Sequence, residues 1–257
     1  MNYLTFIKKK YRKIIIWLLF IIPGVPFILI SFGFAIYAYW PRDFTQTSSL
    51  NIKSDVEYIA ISAHGVHDSP KSWSDELQKA IVETTYPQLH NVKIQSISLN
   101  WEKFSSDVFI CSVAGRKIGY QIGKKIAQHK NIKGIHAIGH SCGAFVVLGI
   151  CEAVKTSNKK ILVQTTYLDP VSIYAGIQWN YGITHFGSCA DFSDTYIDTD
   201  DSVPGSNQIL PFSATTDVTS LKLKKEIPPH AWPTRYYVDA YKSQKVPLFY
   251  NKSTKMN

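Results

Sequence analysis

Hydrophobic and polar positions follow two different periods along the chain, and these periods predict its elements. Residues 56–63 form an apolar run, and residues 92–99 alternate with a period of two, as buried strands do. Within 107–130 the apolar side chains recur every three or four residues, which predicts an amphipathic helix. The other predicted strands are 134–138, 161–168 and 195–197, and the other predicted helices are 73–84, 144–154 and 234–241.

This alternation of strands and helices predicts an α/β fold. Strands separated by helices form a mostly parallel sheet with helices on both faces. The composition is 45% hydrophobic and 18% charged, which is ordinary for a globular protein and argues against disorder. We therefore predict one α/β domain over 55–257, a length sufficient to bury a hydrophobic core.

The first forty residues have a different pattern. Residues 14–40 contain no charged side chain, and a helix of this length, at about 1.5 Å per residue, exceeds the roughly 30 Å apolar core of a bilayer. Pro23 and Pro26 interrupt the run, so a spanning helix has to continue through both. We predict a transmembrane anchor at 14–40 and a polar linker at 41–54. A cleaved signal peptide is the alternative interpretation.

The net charge of +9 is concentrated before that apolar run. Five basic residues and no acidic residue lie within 1–13. Because positively charged flanks stay in the cytoplasm, we predict a single-pass protein with 1–13 in the cytoplasm and the domain on the periplasmic or extracytoplasmic side. The remainder of the sequence shows no basic pattern of the kind that binds nucleic acid, so no nucleic-acid partner is expected.

The chain contains four cysteines, Cys111, Cys142, Cys151 and Cys189. They form no CxxC pair and no Cys/His ligand spacing, so we predict no metal site. One disulfide is compatible with an oxidising compartment. The spacing does not choose among the pairings.

The most informative motif is the G-x-S-x-G pattern at 139–143, which lies between a predicted strand and a predicted helix. In that context the serine occupies a tight turn, and the flanking glycines allow close backbone packing. Ser141 is the predicted nucleophile, although the pattern also occurs in plain turns. The backbone N–H of Cys142 is one predicted oxyanion donor, and that of Val66, in the loop after strand 56–63, is the other.

A serine nucleophile needs a base, and the base needs an orienting carboxylate. His185 and His230 are the histidines that follow Ser141, and we favour His230 because it lies in a late, proline-rich loop. Asp169 is the predicted acid because it ends strand 161–168, where a carboxylate faces the crevice of a parallel sheet. The rival acids lie in one polar run: Asp198, Asp200 and Asp201.

Several of these stretches resemble the lipase family of pancreatic type and its bacterial relatives. The matching pieces, spread over about 56–245, are AHGVHDSPKSW, LNW, AIGHSCGA, LDP, CADFSDTYIDTD and His230 before an aromatic stretch. The resemblance implies an α/β-hydrolase fold with Ser141 as nucleophile, Asp169 as acid and His230 as base. It also implies Val66 and Cys142 as oxyanion donors. Only 60 residues separate Asp169 from His230, so a large lid is not expected.

These observations predict a membrane-anchored serine hydrolase that cleaves an acyl-ester or lipid substrate through an acyl-enzyme, without a cofactor. A thioesterase or acyltransferase using the same triad is the enzymatic alternative. A non-catalytic, membrane-tethered binding module on the same fold is the alternative of another class, because a fold does not determine a function.

Overall fold

The structure is a computed structural model that describes residues 3–45, 47–83, 92–222 and 226–246. The chain divides into two compact units, Met1–Pro41 and Arg42–Asn257. Parts of the predicted segments lie outside the described residues: 1–2 of the predicted cytoplasmic N-terminus, residue 46 of the predicted linker, residue 84 of the first predicted helix of the domain, and 84–91, 223–225 and 247–257 of the predicted domain.

The first unit contains the helix α1 (Tyr3–Tyr39), which continues without a break through Pro23 and Pro26. The predicted transmembrane span, 14–40, falls on this helix. Over the residues that the structure describes, no helix is both long enough and apolar enough to cross a membrane. The predicted anchor therefore finds no support there.

The second unit contains one six-stranded sheet in which every neighbouring pair is parallel, with strand order β2-β1-β3-β4-β5-β6. The strands are β1 (Tyr58–Ala63), β2 (Ile94–Leu99), β3 (Gly134–His140), β4 (Leu162–Leu168), β5 (Phe192–Ile197) and β6 (Ala214–Asp217). The predicted parallel sheet is confirmed. Strand β6 was not predicted, because its sequence, ATTD, is mostly polar and none of its four residues is buried, so no apolar pattern marks it.

Helices cover both faces of this sheet, as predicted. They are α2 (Ser74–Glu83), α3 (Glu102–Ser105), α4 (Cys111–Ala127), α5 (Ala144–Ser157), α6 (Tyr181–His185) and α7 (Trp232–Lys242). Leu77 of α2 and Tyr237 of α7 share a buried cluster with Ile138 and Leu168 of the sheet. Successive strand residues point to opposite faces of the sheet, so this cluster occupies one face. Helix α5 contacts β1, β3 and β4 and packs against α4, and we place these two helices on the other face.

The register of the strands brings the ends of several of them to one edge. Gly139 of β3 pairs with Ala63 of β1 and with Tyr167 of β4. The residues that follow these strands, including Ser141 and Asp169, therefore emerge side by side. This is the edge at which parallel α/β sheets form their ligand sites.

The stretch predicted as a linker, 41–54, packs in part against the domain. The Phe44 ring is buried and lies 4.8 Å from the Phe104 ring, measured between centroids. The Ser48 hydroxyl donates a hydrogen bond to Gln121 Oε1 at 2.8 Å. Because Phe44 and Ser48 both contact residues of the domain, this part of the stretch packs on the domain surface.

The four cysteines form two disulfides, Cys111–Cys142 and Cys151–Cys189, and no free cysteine remains. The sequence allowed one disulfide without choosing a pairing. The packing of α4 against α5 brings Cys111 and Cys142 together, and the cysteines are 31 residues apart along the chain.

Candidate active site

Ser141 occupies a sharp turn between β3 and α5, in the context that the motif predicted. Its φ is +53°, a left-handed conformation that side chains other than glycine rarely adopt. A Cβ atom on Gly143 would lie 2.3 Å from the carbonyl oxygen of Ala63, and one on Gly65 would lie 2.8 Å from Ser141 Cβ. Glycine at both positions therefore allows the turn to pack against the end of β1.

His230 lies in a short 3-10 turn, Pro229–Ala231, directly before α7. Its backbone carbonyl accepts a hydrogen bond of 2.9 Å from His140 Nε2, and the two imidazole rings are 4.9 Å apart. On its other side, His140 Nδ1 faces Asp68 Oδ2 at 3.8 Å. The residue before Ser141 thus ties the loop of His230 to the nucleophile turn.

Two carboxylates face the same nitrogen of His230. Its Nδ1 lies 2.8 Å from Asp201 Oδ2 and 3.3 Å from Asp169 Oδ2. The other oxygen of Asp169 accepts a 3.0 Å hydrogen bond from the backbone N–H of Asn207, and Asp201 accepts one from the Ser206 hydroxyl. Both carboxylates are therefore fixed before they meet the imidazole.

The far nitrogen of the imidazole has a different environment. Among the described residues, His230 Nε2 is buried and has no hydrogen-bond partner. With Nδ1 engaged by carboxylates, Nε2 is the nitrogen that remains to accept a proton. A buried imidazole nitrogen in that state is suited to general-base chemistry.

Burial and mutual charge shift the pKa values of these three groups. Burial raises the pKa of Asp169 above its usual value. Burial also acts to raise the pKa of Asp201, but the Ser206 hydroxyl and the charge of His230 outweigh it and the pKa is lowered. For His230, burial favours the neutral ring, yet Asp169 and Asp201 together raise its pKa. The site therefore stabilises an imidazolium, the form that a general base reaches after taking a proton.

The same three residues have the spacing of a metal site. Ligand atoms of Asp169, Asp201 and His230 all lie within 4.8 Å of one another, which among the described residues makes them candidate metal ligands. Hydrogen bonding between Nδ1 and the carboxylates accounts for this arrangement without an ion. The arrangement is also the one that a base and its orienting acid require.

The predicted oxyanion donors lie on the two loops that meet at the nucleophile. Cys142 follows Ser141 in the turn, and Val66 lies in the loop after β1. His64 braces that loop, because its Nδ1 donates to the Gly65 carbonyl at 3.0 Å and its own carbonyl accepts from Trp101 Nε1 at 3.0 Å. Burial lowers the pKa of His64, which favours the neutral imidazole.

A cleft opens beside the predicted oxyanion loop. It has a volume of about 740 Å³. Its walls include the predicted oxyanion donor Val66, together with His140, which directly precedes Ser141 in the sequence, and Ala231, which directly follows His230. Two largely buried tryptophans, Trp73 and Trp232, line it together with the charged residues Asp68, Arg235 and Asp239. The cleft therefore lies next to the predicted oxyanion loop, where it can receive part of a substrate.

The other candidates from the sequence lie elsewhere. His185 stacks on Tyr181 with 3.9 Å between ring centroids and bonds to the Tyr181 carbonyl within α6. Asp198 pairs with Lys222. Of the three rival acids, Asp201 is the one that contacts His230. The contact between Asp201 and His230 was not predicted, because nothing in the sequence of 198–201 distinguishes Asp201 from the other two aspartates of that run.

The parallel sheet with helices on both faces and the serine in a strand-to-helix turn fit the α/β-hydrolase fold. No protein-family model matches the sequence, and no curated protein matches it. Among solved structures the chain is similar to Trichoderma reesei cutinase in complex with a C11Y4 phosphonate inhibitor, with 16% identity and a TM-score of 0.38 over 74% of this chain and 73% of that chain. The resemblance to the pancreatic-type lipases stays a prediction from the sequence motifs alone.

Proposed function

We propose that this chain is a serine hydrolase that cleaves carboxylic esters, with Ser141 as nucleophile and His230 as base. The observation that carries the proposal is the geometry around His230. Its Nδ1 is engaged by carboxylates at 2.8 and 3.3 Å, while its Nε2 is left without a partner among the described residues. The loop of His230 is bonded to His140, the residue before the strained turn serine Ser141. A base oriented by a carboxylate in this way is the arrangement that activates a hydroxyl nucleophile.

The reaction follows from these positions. His230 Nε2 takes the proton of the Ser141 hydroxyl as Oγ attacks the ester carbonyl, and the oxyanion accepts hydrogen bonds from the N–H groups of Cys142 and Val66. The tetrahedral intermediate expels the alcohol, which receives the proton from His230. Water, deprotonated by His230, then attacks the acyl-enzyme, and Ser141 leaves with that proton as the acid is released.

The substrate we propose is an acyl ester, including the ester of a lipid. The motif resemblance to pancreatic-type lipases supports this substrate class. The neighbouring cleft has a mixed lining, in which Trp73 and Trp232 offer contact to an apolar group beside charged side chains. A thioester or a transfer to an acceptor alcohol would use the same three residues, because each begins with the same acyl-enzyme. Comparing the rates for matched oxygen esters and thioesters separates these reactions.

The decisive experiment is labelling with a serine-directed fluorophosphonate. We expect the wild-type chain to be labelled at Ser141 and Ser141→Ala not to be labelled. Ser105→Ala is the matched control, since Ser105 is another buried serine and lies outside the predicted triad. Absence of labelling in the wild type, together with inactivity toward short and long esters, would instead favour the non-catalytic binding module.

We also propose that the domain lies on the extracytoplasmic side. The basic residues in 1–13 support this orientation. The two disulfides support it as well, because such bonds persist in oxidising compartments. A C-terminal reporter that is active only outside the cytoplasm tests the proposal, and a reporter active only in the cytoplasm would contradict it.

A further inference from the structure

One of the two disulfides is attached to the nucleophile turn itself. Cys142 is the residue after Ser141, and its partner, Cys111, is the first residue of α4. Both cysteine side chains are buried. The covalent bond therefore joins the turn that carries the predicted nucleophile and oxyanion donor to the start of a neighbouring helix.

The nucleophile turn needs such support from its surroundings. Ser141 has a φ of +53°, and a non-glycine residue keeps this conformation only where neighbouring structure enforces it. On one side the turn packs against the end of β1, where a Cβ on Gly143 would come within 2.3 Å of the Ala63 carbonyl oxygen. On the other side the Cys111–Cys142 bond supplies the contact.

The start of α4 is itself fixed to the loop that follows the predicted acid. The hydroxyl of Ser112, the second residue of α4, accepts a 2.9 Å hydrogen bond from the backbone N–H of Ala175. Ala175 lies six residues after Asp169 along the chain. The first turn of α4 thus connects the nucleophile turn with the loop of the acid.

We infer that the Cys111–Cys142 disulfide is a positioning element that holds the Cys142 N–H in place to bind the oxyanion. The inference rests on the proposed function, since it concerns the same turn. A group that positions an oxyanion donor stabilises the transition state more than the bound ester. Loss of the disulfide should therefore lower kcat and leave KM nearly unchanged.

The second disulfide provides a matched control within the chain. Cys151 lies seven residues into α5, which is about 10 Å along the helix, and Cys189 precedes β5 at the opposite edge of the sheet from Ser141. The two bonds span 31 and 38 residues. Because the constraint on the unfolded chain depends only weakly on that span, removing either bond should cost similar global stability.

The test compares the full-length double variants C111A/C142A and C151A/C189A with the wild type. Both should unfold at lower temperature. C111A/C142A should lose kcat by an amount approaching the roughly 10²-fold cost of losing one oxyanion donor, and it should react more slowly with a fluorophosphonate. C151A/C189A should keep the wild-type kcat. Equal losses of kcat in both variants, or full kcat in C111A/C142A, would overturn the inference.

A second measurement covers the case in which C111A/C142A does not fold. The C151A/C189A variant retains only the bond at the nucleophile turn, so dithiothreitol, itself oxidised to a cyclic disulfide, reduces that bond alone. We expect kcat to fall on reduction and to return on reoxidation, and unchanged kcat would contradict us. A wild-type chain that neither hydrolyses esters nor labels at Ser141 would overturn the proposed function and this inference together, whereas the variant outcomes bear on the inference alone.

Discussion

Asp201 Oδ2 lies 2.8 Å from His230 Nδ1 and is the nearer of the two carboxylates at that nitrogen. Asp201 is not a loose surface acid, because its side chain is 4% exposed and the Ser206 hydroxyl donates to it. Asp169 approaches the same nitrogen from the end of β4 at 3.3 Å. Orientation of the predicted base is therefore shared between residues that follow two neighbouring strands.

The first prediction concerns this shared role. Because either carboxylate can still accept the Nδ1 hydrogen, Asp169→Asn and Asp201→Asn should each lower kcat by about 10²-fold or less. The double variant should approach the roughly 10⁴-fold loss seen when a triad histidine loses its only carboxylate partner. Steady-state kinetics on an activated ester measures all three. Asp200→Asn is the control, since this exposed neighbour does not contact His230, and a double variant no worse than either single one would contradict the prediction.

The pH dependence of activity provides the second prediction. A general base works in its neutral form, so activity should rise as the pH increases through the pKa of His230. That pKa is raised, because Asp169 and Asp201 outweigh the effect of burial. The acid limb of kcat/KM should therefore lie above the ordinary histidine value of about 6.5. Other charged or titratable groups near the ring are His140 and, beyond it, Asp68.

Removal of one carboxylate separates this electrostatic effect from a structural one. Asp201→Asn should move the acid limb to lower pH, because the imidazolium loses one of the charges that stabilise it. A variant that lowers the rate equally at every pH would show that Asp201 acts on the fold and not on the proton affinity of His230.

The parts of this site that the sequence predicted are those whose geometry is set by neighbouring residues. The turn at Ser141 was predictable because two glycines, a strand and a helix lie within a few residues of it. Asp169 was predictable as a carboxylate at a strand end, and the structure places it against His230. In each case the chemistry follows from a short segment.

The missing parts depend on contacts between distant segments. Asp201 reaches His230 across 29 residues of chain, and its choice over Asp198 depends on a turn in which Asp201 N–H bonds to the Asp198 carbonyl. The sequence did not determine the disulfide partner of Cys142, because the pairing depends on how α4 packs against α5. Neither relationship leaves a periodic pattern or a spacing rule in the sequence.

The third prediction uses the close packing at Gly65. A Cβ there would lie 2.8 Å from Ser141 Cβ and 3.1 Å from His140 Nδ1, so Gly65→Ala should displace the nucleophile. We expect a strong loss of kcat and a destabilisation of about 1–3 kcal/mol from overpacking. Gly176→Ala is the control, because its φ of +72° makes alanine strained while nothing lies within 4 Å of the added atom. Comparable kcat values for the two variants would contradict the prediction.

The fourth prediction concerns stability and Asp194, a buried residue of β5. Burial raises its pKa to about 7, although the hydroxyls of Thr166 and Tyr196 donate to it. Since the folded pKa lies above the unfolded value of about 3.9, the folded state binds the proton more tightly. Its contribution to stability is fully present below pH 3.9 and is lost as the pH rises through 7, on the order of 4 kcal/mol at most.

Urea unfolding of wild type and Asp194→Asn between pH 5 and 8 measures this contribution. The free energy of unfolding of the wild type should fall relative to the variant as the pH rises, because asparagine has no proton to lose. Asp200→Asn serves as an exposed control. Parallel curves for wild type and Asp194→Asn would show that Asp194 does not carry the effect.

The fifth prediction concerns how the proposed enzyme encounters its substrate. The segments between Asp169 and His230 that could cover the site are bonded to one another: Ser172 N–H donates to the Gly205 carbonyl at 2.8 Å, and the Ser172 hydroxyl contacts the Trp179 carbonyl at 3.1 Å. A cover fixed in this way has no separate closed state for a lipid surface to open. The enzyme should therefore hydrolyse monomeric short-chain p-nitrophenyl esters with ordinary saturation, and its rate should show no jump when micelles form.

The compact unit Arg42–Asn257 is suited to this measurement, because a membrane-bound chain would alter the local substrate concentration without changing the site. The rate is followed across the micellar threshold of the ester, with Ser141→Ala as the blank. A sharp rise at the threshold would mean that a cover moves after all, and 179–187 and 202–213 are the segments to examine. Replacing Ser172 by alanine removes its hydroxyl contact with the Trp179 carbonyl. If that bond helps to hold the cover in place, the variant should acquire a dependence on micelles that the wild type does not have.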